Sequence, residues 1–594
     1  MKSNKLFTIL GLLVIASMIL AACGGGAADT AADTSSDTSA AADTSADTSS
    51  DEEAMEAGPV TSYGYSTTDI PSLDPQIAQD SVSITYIENL FVHLTNYDLV
   101  TADVVPEGAT SWSVSDDGLV YTFTIRTDIP WVSTHPATGE VTQVLDDEGN
   151  GRFVTAHDFA YGIQRACDPT LGSYYSSVIA PQIVGCEDVL YETDPEAAIG
   201  AVALDDSTLE VTLAFPAGFF LSMTPMWPLA AVPSFAIDEH GDDWTEAGFI
   251  VTNGRYGLQS WVHGVSRTLV RNPHMPADMN GGGNIEAFEV NVVPDTSTGY
   301  ALWLAGEVET SGIPGPELDA HLDQFPDETD QIADLAVFYI AFDPFKPPFD
   351  DARVRRAFAA SVDRETLVTE VFQGQGLPML HFAPPGIFGA PPIDEVGIGY
   401  DPEFAAAQLA DAGFPNCEGF PEISVLAYSG ETTLNWIEFM ANGWSEILGC
   451  DPELLQTEQL SFSDLLDATD SNTPVEDRVH IHTLGWGPDY ADENNWVGDV
   501  LKCEVGFVLR ECSATDDLID QARVEDDPAV RVELYRQIEE AFFGAEGESP
   551  MAPLYVRIAF TARQSWLDRT PALFGGEQWY TWNIDQGAQM EAMQ

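Results

Sequence analysis

The chain has 594 residues, 44% hydrophobic and 10% aromatic, which is long enough for several domains with separate cores. Its 96 acidic residues against 22 basic ones give a net charge of −74. A field of that sign repels phosphodiesters and anionic headgroups, so neither nucleic acid nor an anionic lipid surface is expected as a partner.

In chain order, Lys2 and Lys5 form a short basic head, and residues 6–20 are an apolar run that ends in small residues. This is the pattern of a secretory signal, not a spanning helix. Leu20, Ala21, Ala22 and Cys23 resemble a bacterial lipobox. That implies cleavage before Cys23 and lipidation of its sulfur, and so an exported, extracytoplasmic chain anchored to the cell membrane. An ordinary signal with an incidental Cys is the alternative. Residues 24–58 are built from Ala, Asp, Thr, Ser and Gly with repeats such as AADTSSDTSA, and hold no aromatic or basic side chain. Nothing there repays the entropy of ordering, so a disordered acidic tether is expected, spanning roughly 30–35 Å as a flexible coil. No later run approaches the ~18–20 apolar residues that cross a bilayer.

Folded sequence is expected from Pro59. Residues 119–125 (LVYTFTI), 208–213 (TLEVTL), 267–270 and 336–342 (AVFYIAF) are rich in β-branched and aromatic side chains and predict strands. Residues 156–167, 352–362 and 404–412 place apolar side chains three and four apart and predict helices. Asp350 or Asp351 is a candidate cap for the second helix, and Gly413 for the end of the third. Mixed elements over more than 500 residues, without internal repeats, predict an α/β protein of several lobes.

Besides Cys23, the chain holds Cys167, Cys186, Cys417, Cys450, Cys503 and Cys512. An even count in an exported protein suggests disulfides, and six cysteines allow fifteen pairings. Pairing chain neighbours is preferred, because each bond then closes a local loop. No C-x-x-C occurs, which argues against a zinc ribbon or thiol redox centre.

Catalytic signatures are missing: there is no G-x-S-x-G, H-E-x-x-H or phosphate loop ending in Lys-Ser/Thr. Asp146-Asp147-Glu148-Gly149-Asn150-Gly151 opens like a calcium loop, but His157 stands where the closing Glu belongs, so a polar hairpin turn is the better account. His480 and His482 alternate along one strand without a third ligand, and are expected as surface or pocket-wall residues. No enzyme, cofactor or metal is expected.

Seven segments in order then resemble one family. They are SLDPQ (72–76), VPEGATSWSVSDDGLVYTFTIR (105–126), VTAHDFAYGIQRACDP (154–169), NGRYGLQSW (253–261), VRNP (270–273), PPFDDARVRRAFAASVDRETLV (347–368) and YDPEFAAAQLADAGF (400–414). Together they are similar to the extracellular solute-binding proteins of family 5, the oligopeptide and dipeptide binders that serve ABC importers. The resemblance implies a two-lobed, type II Venus-flytrap architecture with an added third domain, closing by hinge motion over an extended peptide. Its expected parts are a signal (1–22), the acylated Cys and tether (23–58), a discontinuous lobe I (59–95, 191–275 and 554–594), an inserted domain II (96–190) and lobe II (276–553). A monomer serving permease subunits is implied.

In oligopeptide binders of this kind, a Trp-x-x-Asp-Tyr sequence sets the Asp against the peptide's α-ammonium. Trp486, Asp489 and Tyr490 match it. A carboxylate in a closing, low-dielectric cleft makes a charge-assisted hydrogen bond, and flanking aromatics exclude water. A structural aromatic turn with a solvated Asp is the alternative. Asn253 and Gly254 match the strand whose backbone faces the peptide. Tyr175 matches a cleft tyrosine more loosely, with core packing as its alternative. One position departs: Thr483 stands where the family's well-known members carry an Arg for the peptide's carboxyl end, and Arg478 lies on a different offset. A same-fold binder of a sugar, metal chelate or other solute, and an anchored hydrolase, are the competing functions.

Overall fold

The computed structural model describes residues 59–428, 431–469, 473–503 and 506–593. The signal, Cys23 and the acidic tether, residues 1–58, lie outside them. Among the described residues, no helix is long and apolar enough to cross a membrane.

Three sheets carry the architecture. In one, Thr61–Ser66 lies parallel to Ala287–Val292, and Ser266–Arg271 and Tyr256–Val262 extend it antiparallel. A second is antiparallel, in the order Ala109–Val114, Val120–Ile125, Thr208–Thr212, Ala201–Asp205. The largest is mixed: Thr310–Gly312, Met551–Arg563, Thr329–Phe342, Ile481–Trp486, Ile423–Tyr428 and Leu455–Leu460 lie side by side, with Gly376–Pro378 also on Met551–Arg563.

The expected strands are present with shifted ends. Residues 336–342 are the apolar half of a 14-residue strand, Thr329–Phe342. Its first half, TDQIADL, has no strand pattern of its own. It is held in the sheet by Met551–Arg563, which pairs with both halves across a bulge between Ala333 and Val337. The helices Ala156–Ala166, Ala352–Ala360 and Pro402–Asp411 match the periodic segments. Asp351 caps the second by accepting from Arg353 N at 2.9 Å, and Gly413 follows the third with φ +99°.

The twin arginines of RVRRAF are buried. Arg355 donates to the carbonyls of Phe349, Glu548 and Ser549, and Arg356 to that of Gly547. Buried guanidinium groups need such partners, and here they tie the helix to the turn that enters Met551–Arg563.

Strand pairing crosses two of the boundaries expected above. Residues 120–125 pair with 208–212, and residues 551–563 run through the largest sheet beside 329–342. Apolar packing follows: one core gathers residues from Ile70 to Phe288 with Trp579 and Trp582, and two more fill the faces of the large sheet.

Disulfides join Cys167 to Cys186, Cys417 to Cys450 and Cys503 to Cys512, each pair being chain neighbours. Asp146 closes a hairpin turn by accepting from Glu148 N and Asn150 N at 3.0 and 2.8 Å. Of the two placements expected of the histidines, surface or pocket wall, His482 takes the wall, lining a small cavity beside Phe342 and Arg478. His482 is buried within its strand, and His480 is half-buried with Nδ1 3.0 Å from Ser424 N. Burial holds both imidazoles down at about 4, so they are neutral packing groups.

Candidate functional site

Strand Ile481–Trp486 lies inside the large sheet, and at its end the chain leaves the sheet through Gly487, Pro488 and Asp489. Asn495 folds this exit back on itself. Its Oδ1 accepts from Asp489 N (2.9 Å) and Trp486 Nε1 (3.2 Å), while its Nδ2 donates to Asp489 Oδ2 (3.2 Å) and Asp499 Oδ2 (3.1 Å). Asn495 is fully buried, so this amide fixes the direction in which the Asp489 carboxylate points.

That carboxylate faces a cleft of about 530 Å³ whose walls come from distant parts of the chain. Tyr175 Oη donates to Asp489 Oδ1 at 2.8 Å. The Tyr175 ring meets Trp227 edge-on at 4.6 Å, and Trp227 is held by Nε1 donating to the Ala78 carbonyl at 2.8 Å. Both aromatics line the cleft. Asp489 has no basic partner among the described residues, and burial pushes its carboxyl up to about 6. It is therefore a carboxylate near its titration point, lacking a counter-charge, in a site that a cation would stabilise.

Three further acids line the cleft: Glu88, Asp334 and Glu577. Glu88, on helix Ser81–Leu90, accepts the N–H of Gly576 and is pushed up to about 7, chiefly by burial. Glu577 accepts from Arg569 Nη1 at 3.2 Å through one oxygen, while the other has no partner among the described residues. Burial raises the carboxyl of Glu577 as well. One basic side chain lines the cleft, Arg557, which donates from Nε to Asp334 Oδ2.

The structure brings together only some of the residues singled out from sequence. Asp489 and Tyr175 meet at the cleft. Trp486 does not line it: its indole donates to Asn495 and packs on Phe507 with centroids 5.1 Å apart. Tyr490 is fully buried, donating to Asp499 Oδ2 at 2.6 Å and stacking on Phe219 at 5.7 Å, which fastens the 487–499 segment into the first core. Asn253 and Gly254 are structural too. Asn253 Oδ1 accepts from Val92 N at 2.8 Å, and Gly254 N donates to the Leu90 carbonyl at 2.8 Å. A Cβ on Gly254 would come within 2.4 Å of the Asn89 carbonyl oxygen, so only glycine fits there. Sequence had passed over Trp227, Glu88, Glu577 and Arg557. No local motif marks them, because their shared wall exists only in three dimensions.

Residues 103–506 match the family model described as bacterial extracellular solute-binding proteins, family 5 middle. The chain is 27% identical over 511 residues to the periplasmic oligopeptide-binding protein OppA of Escherichia coli (strain K12), covering 84% of this chain and 88% of that one. It is 28% identical over 506 residues to the probable deoxycholate-binding periplasmic protein YgiS of the same organism, covering 82% and 86%. Among solved structures, the MppA periplasmic murein tripeptide binding protein in its unliganded open form has a TM-score of 0.71 at 23% identity, covering 89% of this chain and 98% of that one. The fold is that of the α/β periplasmic binding proteins.

Proposed function

The chain belongs to the bacterial extracellular solute-binding proteins of family 5, and from that premise we propose that it captures short peptides in the cleft at Asp489 and delivers them to the permease of an ABC importer. As a member of this family the chain is a substrate-binding protein, not an enzyme.

The observation that carries the peptide reading is the Asp489 carboxylate, aimed into the cleft by Asn495 and Tyr175 with no basic side chain paired to it among the described residues. An α-ammonium supplies that charge and donates more than one N–H. Tyr175 and Trp227 shield the pair from water, which strengthens it. OppA, a relative by sequence, is named for oligopeptides, in keeping with this assignment. A steroid acid, the ligand class in the name of YgiS, has no ammonium for Asp489.

The finer points belong to the same proposal: Cys23 is lipidated, the chain works as an extracytoplasmic monomer on the membrane, and its lobes close on the ligand by hinge motion. Of the residues expected to grip ligand, Asp489 and Tyr175 touch it, while Trp486, Tyr490, Asn253 and Gly254 support the wall.

The test is mass spectrometry of whatever is released when the purified protein is denatured. A ladder of short peptides supports the proposal. A sugar, a metal chelate or another solute lacking an amine overturns it while leaving the fold in place.

A further inference from the structure

A cavity separate from the cleft lies at the other end of strand Ile481–Trp486. Asp489 follows the last residue of that strand, whereas Arg478 precedes its first. At ~3.3 Å per residue the two ends of the strand stand ~17 Å apart. The cavity holds about 330 Å³, and its walls include Arg478, Arg510, Phe345, Val475, Val508 and Leu509. None of these lines the cleft at Asp489.

Two basic residues of a chain that has only 22 therefore share one small cavity. Both are more than nine-tenths buried, Arg478 being 8% and Arg510 6% exposed. A buried guanidinium needs partners for its N–H groups. Arg478 lacks them. Its Nε is 3.5 Å from Asp343 Oδ2, too long for a hydrogen bond, and both atoms are buried without one. Its terminal nitrogens make no hydrogen bond among the described residues, and its guanidinium lies over the Phe345 ring at 5.6 Å.

The Arg510 fork is occupied. Asp516 Oδ1, Ser513 Oγ, Glu548 Oε2 and the Leu501 carbonyl accept from its terminal nitrogens. Its Nε is buried without a partner. Arg510 thus offers one N–H, while Arg478 offers a planar fork of the kind that suits a carboxylate. Both walls are held in place. The disulfide Cys503–Cys512 closes the loop that carries Val508, Leu509 and Arg510, and Lys346 donates to the carbonyls of Glu476 and Arg478.

The other side chains named, Phe345, Val475, Val508 and Leu509, are apolar and give a hydrated inorganic ion nothing to bind. Independently of the peptide reading, we propose that this cavity is a second ligand site, for a small amphipathic carboxylate. The carboxylate sits on the Arg478 fork and Arg510 Nε, and its hydrocarbon body packs against those four side chains.

The test titrates sodium octanoate, 1-octanol and inorganic phosphate into the purified protein at pH 7.5 by calorimetry. Octanoate should bind one to one, roughly ten- to a hundredfold more tightly than octanol or phosphate. Arg478→Gln should bring octanoate down to the octanol level. Val475 is 36% exposed, so Val475→Trp fills the cavity from its rim and should abolish binding. Arg557→Gln, on the cleft wall, should leave octanoate affinity as in the parent. Absence of octanoate binding, equal binding of octanol or phosphate, or loss of binding in Arg557→Gln overturns the proposal. Binding that survives in Val475→Trp overturns it as well. The three-ligand comparison on the parent needs no variant, and Val475→Trp serves if Arg478→Gln does not fold.

Discussion

Tyr175 Oη donates to Asp489 Oδ1 at 2.8 Å across 314 positions of sequence. This bond joins two walls of the cleft, while Asn495 Nδ2 donates to the second carboxylate oxygen at 3.2 Å. Asp489→Asn should weaken binding of an N-terminally free peptide by about 2–4 kcal/mol, since it removes one partner of a shielded ion pair. Tyr175→Phe should cost less, about 1 kcal/mol, because the charge stays. Calorimetric titration with tetra-alanine checks both, and circular dichroism should show the parent fold. Unchanged affinity in Asp489→Asn would sink the ammonium assignment.

Asn495 should matter without touching ligand. Its amide bonds Asp489, Trp486 and Asp499 from a fully buried position. Asn495→Ala strands those partners and should cost about 1–3 kcal/mol of stability. It should also lower peptide affinity, while Asn495→Asp, which keeps the size but cannot donate to Asp489, should lower affinity with a new pH dependence. A thermal melt and a titration series separate the two effects.

Peptide affinity should fall in acid. The free Asp489 carboxyl is held up to about 6 by burial, and a bound ammonium favours the ionised form, so the bound-state value is lower. Between those two values the empty protein takes up a proton that must leave on binding. Affinity is therefore full above about pH 6 to 7 and declines below, by at most a factor of ten per pH unit for one group. Titrations at pH 5 and pH 7.5 measure this, and Asp489→Asn should show a shallower slope than the parent, with Glu88, held at about 7 on the same wall, accounting for what remains.

Stability should fall on the alkaline side. Glu309 and Glu539 are buried and pushed up from 4.5 to about 7 by desolvation. A carboxyl whose folded value exceeds its unfolded value contributes stability at low pH that is lost as pH rises through the folded value. His480 and His482, held at about 4, work the other way but finish titrating by about 6.5. From pH 6.5 to 8 the carboxyls should dominate and the melting temperature should drop. Glu539→Gln, which keeps an acceptor for Ala383 N, should flatten that slope.

Salt should stabilise the protein. A net charge of −74 repels itself in the compact state, and ionic strength shortens the reach of that repulsion to about 8 Å at 0.15 M. The melting temperature should rise between 10 and 300 mM NaCl, read by calorimetry. A decrease would mean that the ion pairs outweigh the repulsion.

Sequence alone determined the parts of this protein that rest on local physics. Alternation and β-branched content located strands within 119–125 and 208–213, three-and-four spacing with Asp351 and Gly413 bounded helices, and an even set of six cysteines suggested disulfides, with pairing of neighbours preferred among fifteen possibilities. Ordered segments also named the family. The polar half of Thr329–Phe342 was illegible because its partner strand lies more than 200 residues away. The site was legible at two residues, Asp489 and Tyr175, and less so around them. Asp489 stands in the cleft, but Trp486, Tyr490, Asn253 and Gly254, which sequence also pointed to, hold the wall up from behind. A motif of aromatics and glycine looks the same whether its side chains face solvent or core, and only the packing against Phe219, Asn495 and Leu90 decides. Glu88, Trp227, Arg557 and Glu577 had no motif at all. Their meeting is a product of sheet order and core closure, in which apolar burial sets which distant side chains share one wall.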